Sequence, residues 1–177
     1  MRLIGLDPGL RRTGWGVIEA EGTRLGHVAH GVITPDPSLD LTERLVLLHD
    51  GLRQVLADHE PAEAAVEISL VNRNPGSSLK LGVARGVVLL APGLAGLPVA
   101  EYLPNIVKKS VVGTGHAAKA QVETMVRHLL PGVKIESADA ADALAVAICH
   151  SHHAATRRRW SARQGEGAAA AAQGAGA

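Results

Sequence analysis

The chain has 177 residues, enough for one domain with a sizeable core, and a formal net charge of +1. Phe is absent and only Trp15, Tyr102 and Trp160 are aromatic, so the core has to be built from Leu, Val, Ile and Ala. Cys149 is the only cysteine, which excludes an internal disulfide and fits a reducing compartment.

The opening stretch MRLIGLDPG turns polar where a signal peptide needs its apolar centre, so a cytoplasmic location is expected. The most apolar run, Gly86 to Ala100, is short and broken by Pro92, Gly93, Gly96 and Pro98, so no membrane span is expected. Residues 61–130 carry 7 Lys/Arg against 4 Asp/Glu, a local excess compatible with a polyanionic partner.

In chain order, Arg2 to Asp7 reads as a short buried strand ended by the turn Asp-Pro-Gly. Gly14 to Ala20 and Leu25 to Ile33 follow, separated by Glu21-Gly22, and make a three-stranded meander. Pro35 and Pro37 lead into an amphipathic helix with Leu41, Leu45, Leu48, Leu52 and Leu56 on one side and Asp40 and Glu43 as its cap. Ala64 to Ile68 is a fourth strand. After the loop Ser69 to Gly76, a helix is expected from about Ser77 to Ala91, with Gly82 and Gly86 one turn apart and suited to close packing against a neighbour. Val99 to Leu103 is a fifth strand, and Pro104 opens the next helical turn. Beyond Gly113-Thr-Gly115 a helix runs to Leu130 with Val122, Met125, Val126 and Leu129 on one face. Ser137 caps the last helix.

The order βββ, then αβαβ, then helices predicts an α/β fold: a mixed five-stranded sheet with helices on both faces. The domain is expected over residues 1–153. A basic, then Ala/Gly-rich, tail over 154–177 is expected to be disordered.

The last helix poses a chemical question, because it begins with Asp139 and Asp142, three residues apart and therefore on one face. Like charges so placed repel, and burial makes this worse. Asp7 ends the first strand and Glu67 the fourth, and functional groups in such sheets gather at strand carboxyl ends. Each acid taken singly has an ordinary role, as a turn residue, a strand end or a first-turn helix acid. Together the four favour a cation site. All are oxygen donors, so the expected ion is hard: Mg²⁺, or Mn²⁺ in its place. Two such ions about 4 Å apart can clamp the attacking and leaving oxygens of a phosphodiester. Cys149, His150, His152 and His153 form a competing zinc candidate, against which stands the preference of histidines for helix C-termini.

Lys119 lies in the first turn of a helix, where N–H groups already favour phosphate, and Lys108 and Lys109 add charge before it. Arg73 and Asn74 follow Glu67 closely enough to touch a nucleic-acid backbone.

The segments IGLDPGLRRTGWGVI, SSLKLGVARG, EYLPNIVKKSVVGTGHAAKAQVETMV and SADAADALAVAICHSHH, in this order, resemble the RuvC family of Holliday junction resolvases. The resemblance spans roughly Met1 to His153. It implies a ribonuclease H-like fold, a homodimer, and two symmetric Mg²⁺-dependent nicks across a four-way DNA junction in recombination and repair. It also implies the branch-migration partners RuvA and RuvB. The family's acidic tetrad falls on Asp7, Glu67, Asp139 and Asp142, and its basic DNA contacts on Lys108 and Lys119. Three positions depart from the family pattern. Leu70 stands where a Phe able to stack on a base is usual, Ala118 where Glu is frequent, and Val83 where Gln is frequent. Stacking contributes about 1–3 kcal/mol per base, so Leu70 bears on junction distortion and turnover rather than on the chemistry. Two other readings remain at this point: a junction-binding protein with impaired cleavage, and an actin-like nucleotide-binding fold suggested by Gly5 to Gly14. The second needs far more chain and does not explain Asp139 and Asp142.

Overall fold

Three strands open the chain: β1 (Arg2–Asp7), β2 (Thr13–Glu21) and β3 (Arg24–Ile33). The computed structural model describes residues 1–68 and 75–154. Helix α1 (Leu41–His59), β4 (Glu63–Glu67), α2 (Pro75–Leu94), β5 (Val99–Tyr102), α3 (Pro104–Val112) and α4 (Lys119–Leu129) follow, and the last described helix, α5, covers 138–154. The strands form one sheet in the order β3-β2-β1-β4-β5. β1 is antiparallel to β2 and parallel to β4, β2 is antiparallel to β3, and β4 is parallel to β5. The mixed five-stranded sheet expected from element order is therefore the one observed.

Strand alternation divides the core in two. Ile4, Leu6, Val17, Ala64 and Val66 point to the side covered by α1 and α2. Leu3, Ile18 and Ala65 point to the other side, with Val107 and Val111 of α3, Val122 and Val126 of α4, and the Ala-rich α5. By the same alternation Gly5 and Asp7 share the face of Leu3, and Glu67 shares that of Ala65. Both strand-end acids thus belong to the α5 side.

Contact between α5 and the sheet is very close. An added Cβ would lie 2.1 Å from the Ala143 carbonyl at Gly5, 2.0 Å from the Asp139 carbonyl at Gly14, and 2.7 Å from the Leu144 side chain at Gly16. Glycine on the strands and alanine on the helix let the two backbones meet.

Asp40 caps α1 through both halves of a capping box: it accepts from the Glu43 N–H at 2.8 Å, and Glu43 accepts from the Asp40 N–H at 3.1 Å. The apolar stripe is shorter than the spacing suggested. Burial begins at Leu48 and continues through Leu52, Val55 and Leu56, while Leu41 is exposed.

Helix α2 departs from expectation in two ways. It continues through Pro92 to Leu94, so Gly76–Leu94 becomes one apolar helix long enough, by length and composition, to cross a membrane, which the run starting at Gly86 was not. Gly82 and Gly86 also have nothing within 4 Å among the described residues, so the close packing they permit is not made by any of these. The helix instead buries Ala84, Val88 and Ala91 and turns Leu79, Leu90 and Leu94 outward.

Candidate active site

The pairing Leu6↔Val66 in the parallel ladder brings the next residues, Asp7 and Glu67, side by side at the carboxyl ends of β1 and β4. Asp7 also pairs with Gly14 of β2, and Gly14 is the residue on which the Asp139 backbone rests. The start of α5 is therefore fixed over the two strand ends. Ser137 places it: its carbonyl accepts the first helical bond from the Ala141 N–H at 3.0 Å, and its hydroxyl faces Arg12 and Asp139.

The electrostatics report the crowding. Burial first, then Glu67, Asp142 and Asp139, push the Asp7 carboxyl up to about 7, against a pull from Lys119 in the opposite sense. For Glu67, burial and then Asp142 push the carboxyl up to about 7, opposed by Lys119 and Lys108. The charges of Glu67, Asp139 and Asp142 thus reach Asp7, and that of Asp142 reaches Glu67, across three separate elements.

The two helix acids are held by cations. Arg12 donates from Nε to Asp139 Oδ2 at 2.6 Å and from its guanidinium to Ser137 Oγ at 3.0 Å. Lys119 Nζ donates to Asp142 Oδ2 at 3.0 Å, and that bond is the main reason the lysine's proton affinity rises. Among the described residues no three His, Cys, Asp or Glu side chains stand ready-made around one ion position. The donor set nonetheless fits a hard cation: four carboxylates offer only oxygen, and their repulsion has to be offset by positive charge.

Glu67, Lys108, Lys119 and Asp142 line a cleft of about 140 Å³ closed by Pro104, Val107, Val122 and Ala145. It combines two acids with two lysines, one from α3 and one from the first turn of α4. Ala118 cannot cap α4 with a side chain, and Gln121 reaches back to its N–H at 2.8 Å instead. Lys109 is not in this cleft. It lines a groove on the other side of α3 with Ile106, Ser110, His152 and His153.

The zinc alternative does not assemble, because helical spacing fans its side chains apart. Cys149 is buried, with its thiol pushed up to about 11 by desolvation. His150 is buried between the Tyr102 hydroxyl and Glu63, each at 2.9 Å, whereas His152 meets Ser110 and His153 stacks on Tyr102. Leu70, Arg73 and Asn74 lie outside the described residues, as does the tail beyond 154. Arg12 is the site residue that sequence reading missed. Its only signal was a pair of cations, Arg11 and Arg12, one residue beyond the Asp-Pro-Gly turn.

A family model described as crossover junction endodeoxyribonuclease RuvC matches residues 3–150. The chain is 66% identical over 155 residues to the crossover junction endodeoxyribonuclease RuvC of Rhodospirillum rubrum, covering 88% of this chain and 92% of that one. It is 64% identical over 159 residues to that of Paramagnetospirillum magneticum, covering 90% and 96%. Its fold is similar to that of Thermus thermophilus RuvC in complex with Holliday junction substrate. The TM-score is 0.82 at 35% identity, over 88% of this chain and 96% of that chain.

Proposed function

Since the chain belongs to the RuvC family of crossover junction endodeoxyribonucleases, we propose that its four-carboxylate cleft is the place where a four-way DNA junction is cut. The protein is a nuclease of ribonuclease H-like fold that resolves Holliday junctions in DNA recombination and repair. The observation that carries the site assignment is the meeting of Asp7 and Glu67 at neighbouring strand ends beneath the start of α5. Burial and then Glu67, Asp142 and Asp139 push Asp7 up, and burial and then Asp142 push Glu67 up. Two half-buried acids side by side, with two more on the helix above them, are costly unless a cation joins them.

Asp7, Glu67, Asp139 and Asp142 are the residues that would hold Mg²⁺, two ions per site, with Mn²⁺ able to substitute. When bound, the ions supply charge that activates water and stabilises the attacking and leaving oxygens of the phosphodiester. The chain's own residues do the positioning. Asp7 and Glu67 fix the floor of the site from the rigid sheet, and α5 brings Asp139 and Asp142 down from above. Lys108 and Lys119 hold backbone phosphate at the edge, where Lys119 exchanges Asp142 for DNA without leaving the cleft. Leu70, Arg73, Asn74 and Lys109 complete the proposed DNA contacts.

A homodimer supplies one such site to each of two strands, so that the two-fold axis of the protein matches that of the junction. The outward face of α2 supports this, with Leu79 71% and Leu94 69% exposed and no described residue within 4 Å of a side chain added at Gly82 or Gly86. The partners are junction DNA and the branch-migration proteins RuvA and RuvB, in the cytoplasm.

The test is a synthetic junction with a mobile core, incubated with Mg²⁺ beside linear duplex. Paired symmetric nicks in the junction alone, lost in Asp7→Asn, are expected. Binding without nicks in the native protein would point to the segment around Leu70, and neither binding nor nicking would overturn the reading.

A further inference from the structure

A second cationic cleft lies against the opposite flank of the acids. It encloses about 630 Å³ and brings together Arg11, Arg12, Arg44 and Lys80, with Asp139 as the only acid on its wall among the described residues. The charges come from three elements: the β1–β2 loop, the first turns of α1 and the first turns of α2. Convergence of four cations from separate elements is not a by-product of one solvated helix face.

The cleft is also rigidly built. Thr13, fully buried, closes the β1–β2 loop by donating to the Gly9 carbonyl at 2.7 Å and accepting from the Gly9 N–H at 3.3 Å. The Arg44 guanidinium donates to the Leu10 carbonyl at 3.0 Å, which ties the loop to α1. The Arg44 Nε is buried and has no hydrogen-bond partner among the described residues. Asp36, an acid that feels Arg44, has its carboxylate engaged by the Ser38 N–H and hydroxyl. Among the described residues the positive charge of the cleft is therefore largely uncompensated, apart from the bond between Arg12 and Asp139.

A strand lying over the acids has to continue past them on both sides. One side meets Lys108 and Lys119; the other meets this cleft. We infer that the Arg11–Arg12–Arg44–Lys80 cleft binds a backbone phosphodiester of the strand being cut, and that this phosphate draws Arg12 away from Asp139. The inference rests on the nuclease reading above. Its consequence is an order of events: Asp139 is neutralised by Arg12 in the free protein and is released to a cation only when DNA arrives. Binding of DNA and completion of the acid site then become linked through one guanidinium.

Two measurements on the full chain test this. The first is junction affinity by fluorescence anisotropy across a salt series without divalent metal, for the native protein, Arg11→Gln and Lys80→Gln. Both residues are exposed, so the fold tolerates the changes. Each variant is expected to reduce the slope of log affinity against log salt by about 0.7–0.9 for the phosphate contact removed. The second is Mn²⁺ affinity without DNA, read from the paramagnetic resonance of free Mn²⁺. Arg12→Gln is expected to bind Mn²⁺ several-fold more tightly than the native protein. Unchanged salt slopes would overturn the phosphate site, and equal Mn²⁺ affinities would overturn the role of Arg12, with the nuclease reading intact in both cases. A native protein that fails to bind the junction at all would overturn that reading instead.

Discussion

Gly14→Ala places one methyl group between β2 and the first turn of α5. The added Cβ would lie 2.0 Å from the Asp139 carbonyl oxygen and 2.5 Å from its carbon, where ordinary contact begins at 3.4 Å. Relief therefore needs about 1.4 Å of movement, and the obstacle is backbone, which cannot rotate aside as a side chain can. Overpacking of this kind costs about 1–3 kcal/mol, and for a domain of this size each kcal/mol lowers Tm by about 2–4 °C. The helix that yields is the one carrying Asp139 and Asp142, so the acids separate from Asp7 and Glu67. A misplacement of about 1 Å at a reacting centre costs on the order of 10²-fold in rate. Thermal unfolding and junction nicking at saturating Mg²⁺ read the two effects. Gly16→Ala is the control, because its Cβ meets the Leu144 side chain at 2.7 Å and a rotamer change can absorb part of the clash. Gly14→Ala with native stability and a native nicking rate would refute the argument that this seam positions the acids.

The metal-free protein should lose stability as pH rises from about 4 to about 7. Asp7 and Glu67 take up protons in this range when folded but not when unfolded, and unfolding in EDTA at several pH values measures it. Because the ionised acids are the ones suited to a cation, the affinity of the metal-free protein for Mn²⁺ should rise with pH over the same range, and Asp7→Asn should flatten the stability profile. Asp40→Ala removes the α1 cap and should cost about 1 kcal/mol by denaturant titration, with junction nicking retained. Tyr102→Phe takes one partner from the buried His150 ring and should cost about 1–2 kcal/mol by the same titration.

Much of this architecture was legible in the residues. Strand alternation with Asp-Pro-Gly and Glu-Gly turns marked the meander, and the Asp40/Glu43 pair marked the start of α1. The gathering of Asp7, Glu67, Asp139 and Asp142 was readable because each stands at the end of an element whose neighbours are apolar. Three things were not readable. Arg12 meets Asp139 across 127 positions of sequence, and no local pattern encodes such a pairing. Lys108 and Lys109 are adjacent in sequence, but helical rotation sends them to different grooves. The glycines of α2 permit close packing, yet a small residue marks only that a neighbour could come close, and none of the described residues does. Leu70, Arg73 and Asn74 fall outside the described residues and remain proposals.

The seam between α5 and the sheet has a consequence for how this protein can change. On the strand side stand Gly5, Gly14 and Gly16; on the helix side stand Asp139, Ala143, Leu144 and Ala147, the two alanines fully buried. Most packed interfaces drift by exchange, one residue growing as its neighbour shrinks. Here the strand partner is already the smallest residue there is, and the first contact met at Gly5 and Gly14 is main chain rather than a side chain that could be trimmed. Compensation is closed off in both directions. Variation in this protein should therefore collect in the outer helices and loops, leaving the seam as the part of the sequence least free to wander.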